Sequence, residues 1–236
     1  MVTLEEATSA RTAEPHEATA ARRTAAKFAV ELIGTFFLVV TVGTSVRSGS
    51  PLAPLAIGAV LMVMIYAGGH VSGGHYNPAV TLAVLLRHRI TPRDAVRYWI
   101  AQLVAGLLAA VVVRAVVDPA QPAAPTLLTL NHHTVGAAFV VELLFTFALC
   151  YVVLNVATSK SHPDNSFYGL AIGSTVMAGA FAVSAISGGA FNPAVTLGAA
   201  VMGMFAWPTL WVYLAAQLIA GAAAGVAFRA LNPDDR

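Results

Sequence analysis

The stretch Ser72-Gly73-Gly74-His75-Tyr76-Asn77-Pro78-Ala79-Val80-Thr81-Leu82 recurs, with two changes, as Ser187-Gly188-Gly189-Ala190-Phe191-Asn192-Pro193-Ala194-Val195-Thr196-Leu197. The offset is 115 residues, and it also carries AQLVAG at 101–106 onto AQLIAG at 216–221 and Arg114 onto Arg229. Upstream of each copy, ELIGTFF at 31–37 parallels ELLFTFA at 142–148, here with an offset of 111. Shared offsets over this length mark an internal duplication. Each copy opens with small residues that have no helical period and closes with a helix start. Asn is a favoured N-cap, and Pro is favoured at the first helical position, where its missing N–H costs nothing.

The surrounding sequence places these motifs in a membrane. Of 236 residues, 58% are hydrophobic and 10% charged, and the mean hydropathy is +0.75. A soluble domain carries about 25% charged residues. Apolar runs near 28–46, 54–70, 98–117, 135–157, 167–186 and 208–229 each approach the roughly 20 residues that a spanning helix needs. Two shorter runs, 78–86 and 193–204, directly follow the Asn-Pro pairs. At the helical rise they reach only about 14–18 Å, half a membrane. The predicted fold is therefore an all-α membrane protein with six transmembrane helices and two re-entrant half-helices. The unbroken runs exclude the alternation of a transmembrane β-barrel.

Repeat one covers about 28–117 and repeat two about 135–230, together one domain at 28–230. Three spans per repeat is an odd number, so the second half enters the membrane upside down, giving an inverted-topology repeat. Residues 1–27 lack the apolar core of a signal peptide. They are read as a mobile N-terminal tail, helical near Ala20–Lys27, and 231–236 as a C-terminal tail. Arg22, Arg23 and Lys27 are read as orientation charges, with lipid-headgroup contact as the alternative.

With the termini cytoplasmic, eleven basic residues lie inside: Arg11, Arg22, Arg23, Lys27, Arg87, Arg89, Arg93, Arg97, Lys160, Arg229 and Arg236. Only Arg47 and Arg114 lie outside, a strong positive-inside pattern. A formal net charge of +2 argues against a nucleic-acid partner. The lone Cys150 sits in an apolar run, so there is no disulfide framework.

The two half-helices are expected to meet at the midplane, N-terminus to N-terminus. Each directs about half a positive charge at that point. A cation meets a barrier there, while a neutral hydrogen-bonding solute does not. Asn77 and Asn192 are expected to offer amide donors at the pore midplane, with Pro78, Ala79, Pro193 and Ala194 opening the half-helices. Glu31 and Glu142 are carboxylates inside spans, which mark function by default. They are either a proton relay or acceptors for the backbone N–H groups of the re-entrant stretches, and their symmetry favours the second. His70 and His75 form a conceivable metal pair, but no Cys or carboxylate nearby completes a shell; no metal and no cofactor are expected. His132, His133 and His162 are read as solvated loop residues. The small residues of 220–225 are read as a close helix crossing.

SGGHYNPAVT followed by a second Asn-Pro-Ala in an inverted repeat resembles the aquaporin and aquaglyceroporin (major intrinsic protein) family over residues 28 to about 230. The resemblance implies a right-handed bundle with one pore per protomer, assembled as a homotetramer in the lipid bilayer. It gives Glu31, Glu142 and His75 loop-bracing roles. It also assigns the selectivity filter to Ile57, Ala180, Gly189 and Val195. Most relatives keep Arg where this chain has Val195, and glycerol-conducting members tend to carry Asp where it has Thr196. The four filter residues supply no charge, no aromatic ring and no side-chain donor.

Two outcomes follow from that ring. A wide, apolar constriction would pass water and larger neutral solutes such as hydrogen peroxide, urea, glycerol or ammonia. Alternatively Phe181 or Phe191 folds into the space and restores a narrow water pore. A secondary transporter on the same scaffold would need a coupling-ion site, for which only the two Glu residues are available. An enzyme is not expected, since no nucleophile–base set or phosphate loop is present. The Ala/Val/Arg bias and short loops point to the cell membrane of a bacterium.

Overall fold

The computed structural model describes residues 4–117, 130–131 and 134–235, with side chains from residue 19 onward; His132 and His133 lie outside the described residues. The helices are α1 (Leu4–Arg47), α2 (Ala53–Ser72), α3 (Pro78–Leu86), α4 (Pro92–Val112), α5 (Val135–Thr158), α6 (Tyr168–Ser187), α7 (Pro193–Val201) and α8 (Leu210–Leu231). Six are long and apolar enough to cross a membrane, and α3 and α7, nine residues each, are not.

Three boundaries differ from expectation, one being the start of α4 at Pro92, capped by Thr91, ahead of the apolar run at 98. Residues 4–27, read as a mostly irregular tail, continue the first span as one 44-residue helix. The Ala- and Glu-rich composition of that segment suits helix, and nothing interrupts its junction with the span. The second half-helix stops at Val201 rather than near 204. Gly203 takes a left-handed φ of +79°, and the Met204 N–H closes back onto the Ala199 carbonyl at 2.8 Å, ending the helix. His88 holds the matching position after α3, at φ +62°, with Arg89 N–H donating to Val84 O at 3.1 Å.

Packing interleaves the repeats. Helix α1 lies against α2 and α4, and α5 lies against α6 and α8, while α2 against α6 joins the halves. The half-helices cross over: α3 seats on α8 and α7 seats on α4. Glycine makes these seats possible. A Cβ on Gly221 would lie 2.5 Å from the Ala79 carbonyl oxygen, and one on Gly106 would lie 2.7 Å from that of Ala194. Gly225 extends the first seat against Ala83 and Leu86. The 220–225 run is thus where α8 receives α3.

At the end of the bundle that holds α3's C-terminus, Arg87 is not a solvated orientation charge. Its side chain is 2% exposed, its guanidinium carbon stands 4.5 Å over the Phe228 ring, and Nη2 donates to Asp235 at 2.6 Å. Asp235 also accepts from the Lys160 backbone N–H at 2.8 Å. The C-terminal segment, α3 and the α5–α6 loop are tied through one carboxylate. Burial alone would raise the Asp235 pKa, but the Lys160 N–H, the Ser159 hydroxyl and Arg87 outweigh it and hold it below the usual carboxylate value. His162, in the same loop, is exposed and meets Phe167 edge-on.

Candidate functional site

The two re-entrant stretches repeat one backbone path. Gly73 and Gly188 close α2 and α6 in the left-handed region, at φ +92° and +89°, and Gly74 and Gly189 follow at +63° and +66°. Tyr76 and Phe191 adopt φ +47° and +49°, which costs a residue with a Cβ about 1–2 kcal/mol. That conformation persists because a buried carboxylate takes their N–H groups.

Glu31 Oε1 accepts from Ser72 Oγ at 2.7 Å and from His75 N–H at 2.9 Å. Its Oε2 accepts from Tyr76 N–H and Gln102 Nε2, both at 2.8 Å. Glu142 repeats the set: Ser187 Oγ at 2.7 Å and Ala190 N–H at 2.9 Å on Oε1, then Phe191 N–H and Gln217 Nε2 at 2.9 Å on Oε2. Both carboxylates are fully buried, and all four neighbours of each are donors.

Further partners lock each set. Gln102 and Gln217 also donate to Thr81 and Thr196, at 3.0 and 2.9 Å. Tyr98 and Tyr213 hydroxyls donate to the Ser72 and Ser187 carbonyls at 2.6 and 2.7 Å. Ser72, Thr81, Tyr98 and Gln102, with their mates, were not singled out from the sequence as site residues. The signal was present: each is a polar residue in an apolar setting, preserved across the 115-residue offset.

The left-handed residues aim their carbonyls across the bundle. Asn77 Nδ2 donates to Phe191 O and Asn192 Nδ2 donates to Tyr76 O, each at 2.9 Å. Asn77 Oδ1 caps α3 through Ala79 N–H at 2.8 Å, and Asn192 Oδ1 caps α7 through Ala194 N–H at 2.9 Å. Pro78 and Pro193 are the first residues of α3 and α7. The two N-termini are thereby pinned face to face. An Asn amide has two hydrogens, and among the described residues no protein acceptor takes the second one.

A cavity of about 630 Å³ runs from the Arg47–Ser50 end of the bundle to this junction. Asn77, Asn192 and His75 line it, and so do Ile57, Ala180, Gly189 and Val195. The facing wall is hydrocarbon, from Leu38, Val42, Leu61, Val80, Leu149, Val153, Ile172 and Val176. Gly189 sits in the left-handed region at φ +66°, where a Cβ would be strained and would lie in tight contact, 3.3 Å from Ala180 Cα.

The two candidate aromatic plugs part company. Phe191 is 1% exposed, turned onto Phe145 at 5.5 Å between ring centroids, and absent from the lining. Phe181 does line the cavity, with 54% of its surface exposed. His70 and His75 are not similarly placed: His70 is exposed on α2, while His75 is buried against Tyr98 with Nδ1 3.1 Å from Thr81 Oγ1.

Comparison with known proteins agrees with this architecture. The family model "Major intrinsic protein" matches residues 44–228. A "Glycerol uptake facilitator protein-like 6" of Lactiplantibacillus plantarum is 37% identical over 215 residues, covering 89% of this chain and 99% of the relative. "Aquaporin NIP1-4" of Oryza sativa subsp. japonica is 36% identical over 202 residues, covering 83% and 72% respectively. Among solved structures, an aquaglyceroporin from Plasmodium falciparum superposes with a TM-score of 0.73 at 19% identity, covering 87% of this chain and 95% of that one. That last likeness speaks for the fold alone. The chain belongs to the major intrinsic protein family, whose members are membrane channels and not enzymes.

Proposed function

We propose that residues 28–230 form a passive pore for water and small neutral solutes, with Asn77 and Asn192 at its midplane. Its filter is the uncharged ring Ile57, Ala180, Gly189 and Val195. The observation that carries this reading is the shared cavity: all four residues line it, none offers a charge or a side-chain hydrogen-bond donor, and Phe191 points away. Small side chains at Ala180 and Gly189 leave the ring wide enough that a solute need not shed all its water. The solute class is small and neutral: hydrogen peroxide, urea, glycerol and ammonia, with glycerol further supported by the name of the bacterial relative. The hydrogen bonds around Glu31 and Glu142 support loop bracing over proton relay, since a relay needs an acceptor to which the proton passes. His75 braces the first loop through Thr81.

The proposed assembly is a homotetramer in a bacterial cell membrane; for the orientation, with both termini cytoplasmic, the distribution of Lys and Arg is the support. A second reading, a narrow water-selective pore, draws on Phe181 in the cavity lining. Proteoliposome swelling against a graded series of neutral solutes separates the two. Passage of urea and glycerol supports the wide ring; exclusion of everything larger than water overturns it. Val195→Arg narrows the accepted series and lowers proton leak if the ring is the filter, and leaves both unchanged if it is not.

A further inference from the structure

The duplication gives every filter residue a mate. The 115-residue offset carries the bounds of α2 onto those of α6, Ala53 onto Tyr168 and Ser72 onto Ser187, and those of α3 onto α7. Packing obeys the same symmetry. A Cβ on Gly58 would lie 2.6 Å from the Gly173 carbonyl oxygen, and one on Gly173 would lie 2.5 Å from that of Gly58. Applied to the filter, the offset pairs Ile57 with Ile172, Gly189 with Gly74, Val195 with Val80 and Ala180 with Ile65. Three pairs are identical in residue type, and the fourth sets isoleucine against alanine.

The mates form a second ring, separated from the first by the Asn77–Asn192 junction. Ile172, Gly74 and Val80 line the far end of the cavity that the filter lines. Ile65 follows the lining residues Ile57 and Leu61 at spacings of four on α2, and so shares their face. It stands to Gly74 as Ala180 stands to Gly189: a Cβ on Gly74 would lie 3.5 Å from Ile65 Cα, against 3.3 Å from Ala180 Cα for Gly189. Ile65 is not among the lining residues; the cavity ends against it.

Every inner member is also less exposed than its outer mate. Ile172 and Gly74 are buried where Ile57 and Gly189 are half-buried. Val80 and Ile65 are 2% and 1% exposed, where Val195 and Ala180 are 5% and 4%. A solute crosses both rings in series, so the narrower one decides the largest molecule that completes the passage.

We propose that the inner ring of Ile65, Ile172, Gly74 and Val80 sets the size limit of this channel, with Ile65 as its determining residue. This rests on the channel reading above. The outer ring, opened by Ala180, admits more than the inner one lets through. Both rings are apolar, so the second sorts by girth and not by charge.

Full-length protein in liposomes, swelling against glycerol, erythritol and ribitol, reads the limit as the permeability of each polyol relative to water. Ile65→Ala is expected to raise the ratio for the first excluded polyol by at least about 5-fold, the low end of what forcing extra carbons through a packed space costs. Adding Ala180→Ile rebuilds the same ring on the outer side and is expected to restore the original limit. Ile65→Ala also lowers the unfolding midpoint, as truncation of a buried side chain does, and Ala180→Ile does not recover that loss. A size limit that returns while stability does not is the mark of a filter, because a residue serving only the packing would move neither ratio in this way. Ile65→Val, one carbon smaller, shifts the limit in the same direction by less, and serves if Ile65→Ala does not reach the membrane. An unmoved limit in the single variant, a shifted one that Ala180→Ile fails to restore, or equal passage of all three polyols by the unaltered chain overturns the inference. Liposomes of the unaltered chain that swell no faster than empty ones would sink the channel reading itself.

Discussion

Replacing Glu142 with Gln keeps the shape of the side chain and changes one oxygen into a donor. The Oε1 side tolerates this, because an amide oxygen still accepts from Ser187 Oγ and Ala190 N–H. On the other side the new NH2 faces two donors, Phe191 N–H and Gln217 Nε2. Gln217 can turn its amide over, since Thr196 Oγ1 lies within reach of both ends, 2.9 Å from Nε2 and 3.3 Å from Oε1. The Phe191 N–H has no such freedom. One buried donor is left without an acceptor, at about 1–3 kcal/mol, and a second if Gln217 stays put. For a chain of this size each kcal/mol lowers the unfolding midpoint by about 2–4 °C, so a fall of about 2–12 °C is expected. Tryptophan fluorescence during heating in detergent reads it out. Glu142→Leu, which removes every acceptor, should fall further, and Glu31→Gln should match Glu142→Gln because its contacts are the same. An unchanged midpoint for Glu142→Gln would refute the bracing argument.

Three other expectations are open to measurement. Gly221→Val puts a branched side chain where a Cβ already meets Ala79 O at 2.5 Å, so α3 must leave its seat; yield of folded protein should collapse, and normal yield with normal water flux would contradict the seating. His88→Gly relieves an exposed left-handed residue whose repeat mate is Gly203, and should stabilise by about 1 kcal/mol in thermal unfolding. The Asp235 pKa is depressed in the folded state, so its ties to Arg87 and Lys160 contribute stability above the ordinary carboxylate range and lose it as pH falls through the lowered value. Protection of the 159–166 loop against hydrogen exchange, taken relative to the intrinsic rate at each pH, should therefore be steady near neutrality and fall in strong acid, whereas Asp235→Asn should show the weaker protection at every pH.

What could be read from the sequence was what the duplication wrote twice. The Asn-Pro pairs, the span count and the placement of Glu31 against Glu142 each have a mate at a fixed offset, so chance is excluded without any coordinates. The path of Phe191 was not legible in this way. Its ring direction depends on its own φ of +49°, which no side-chain pattern announces. The Arg87–Asp235 pair escaped for the opposite reason: it has no counterpart in the other repeat and joins residues 148 apart. Composition made Arg87 one more basic residue on the inner side. Only burial beneath Phe228 distinguishes it. The length of α1 is not legible in the span pattern, because 4–27 carry no membrane-length apolar run, although alanine favours helix without needing a core.

The crossed seating of the half-helices bears on how the protein is made. When the first repeat has left the ribosome, α3 exists as sequence, but the glycine it rests on, Gly221, and the carbonyl that holds Asn77, that of Phe191, have not been synthesised. Until they arrive α3 is a short apolar segment, too brief to span the bilayer, with a polar Asn at its tip. It must wait, provisional, for more than a hundred residues. The seventh helix has no such delay, because its seat on α4 is already in place. Biogenesis of this symmetric molecule is thus asymmetric in time, and a chain cut before α8 would hold one finished half-helix and one with nowhere to sit.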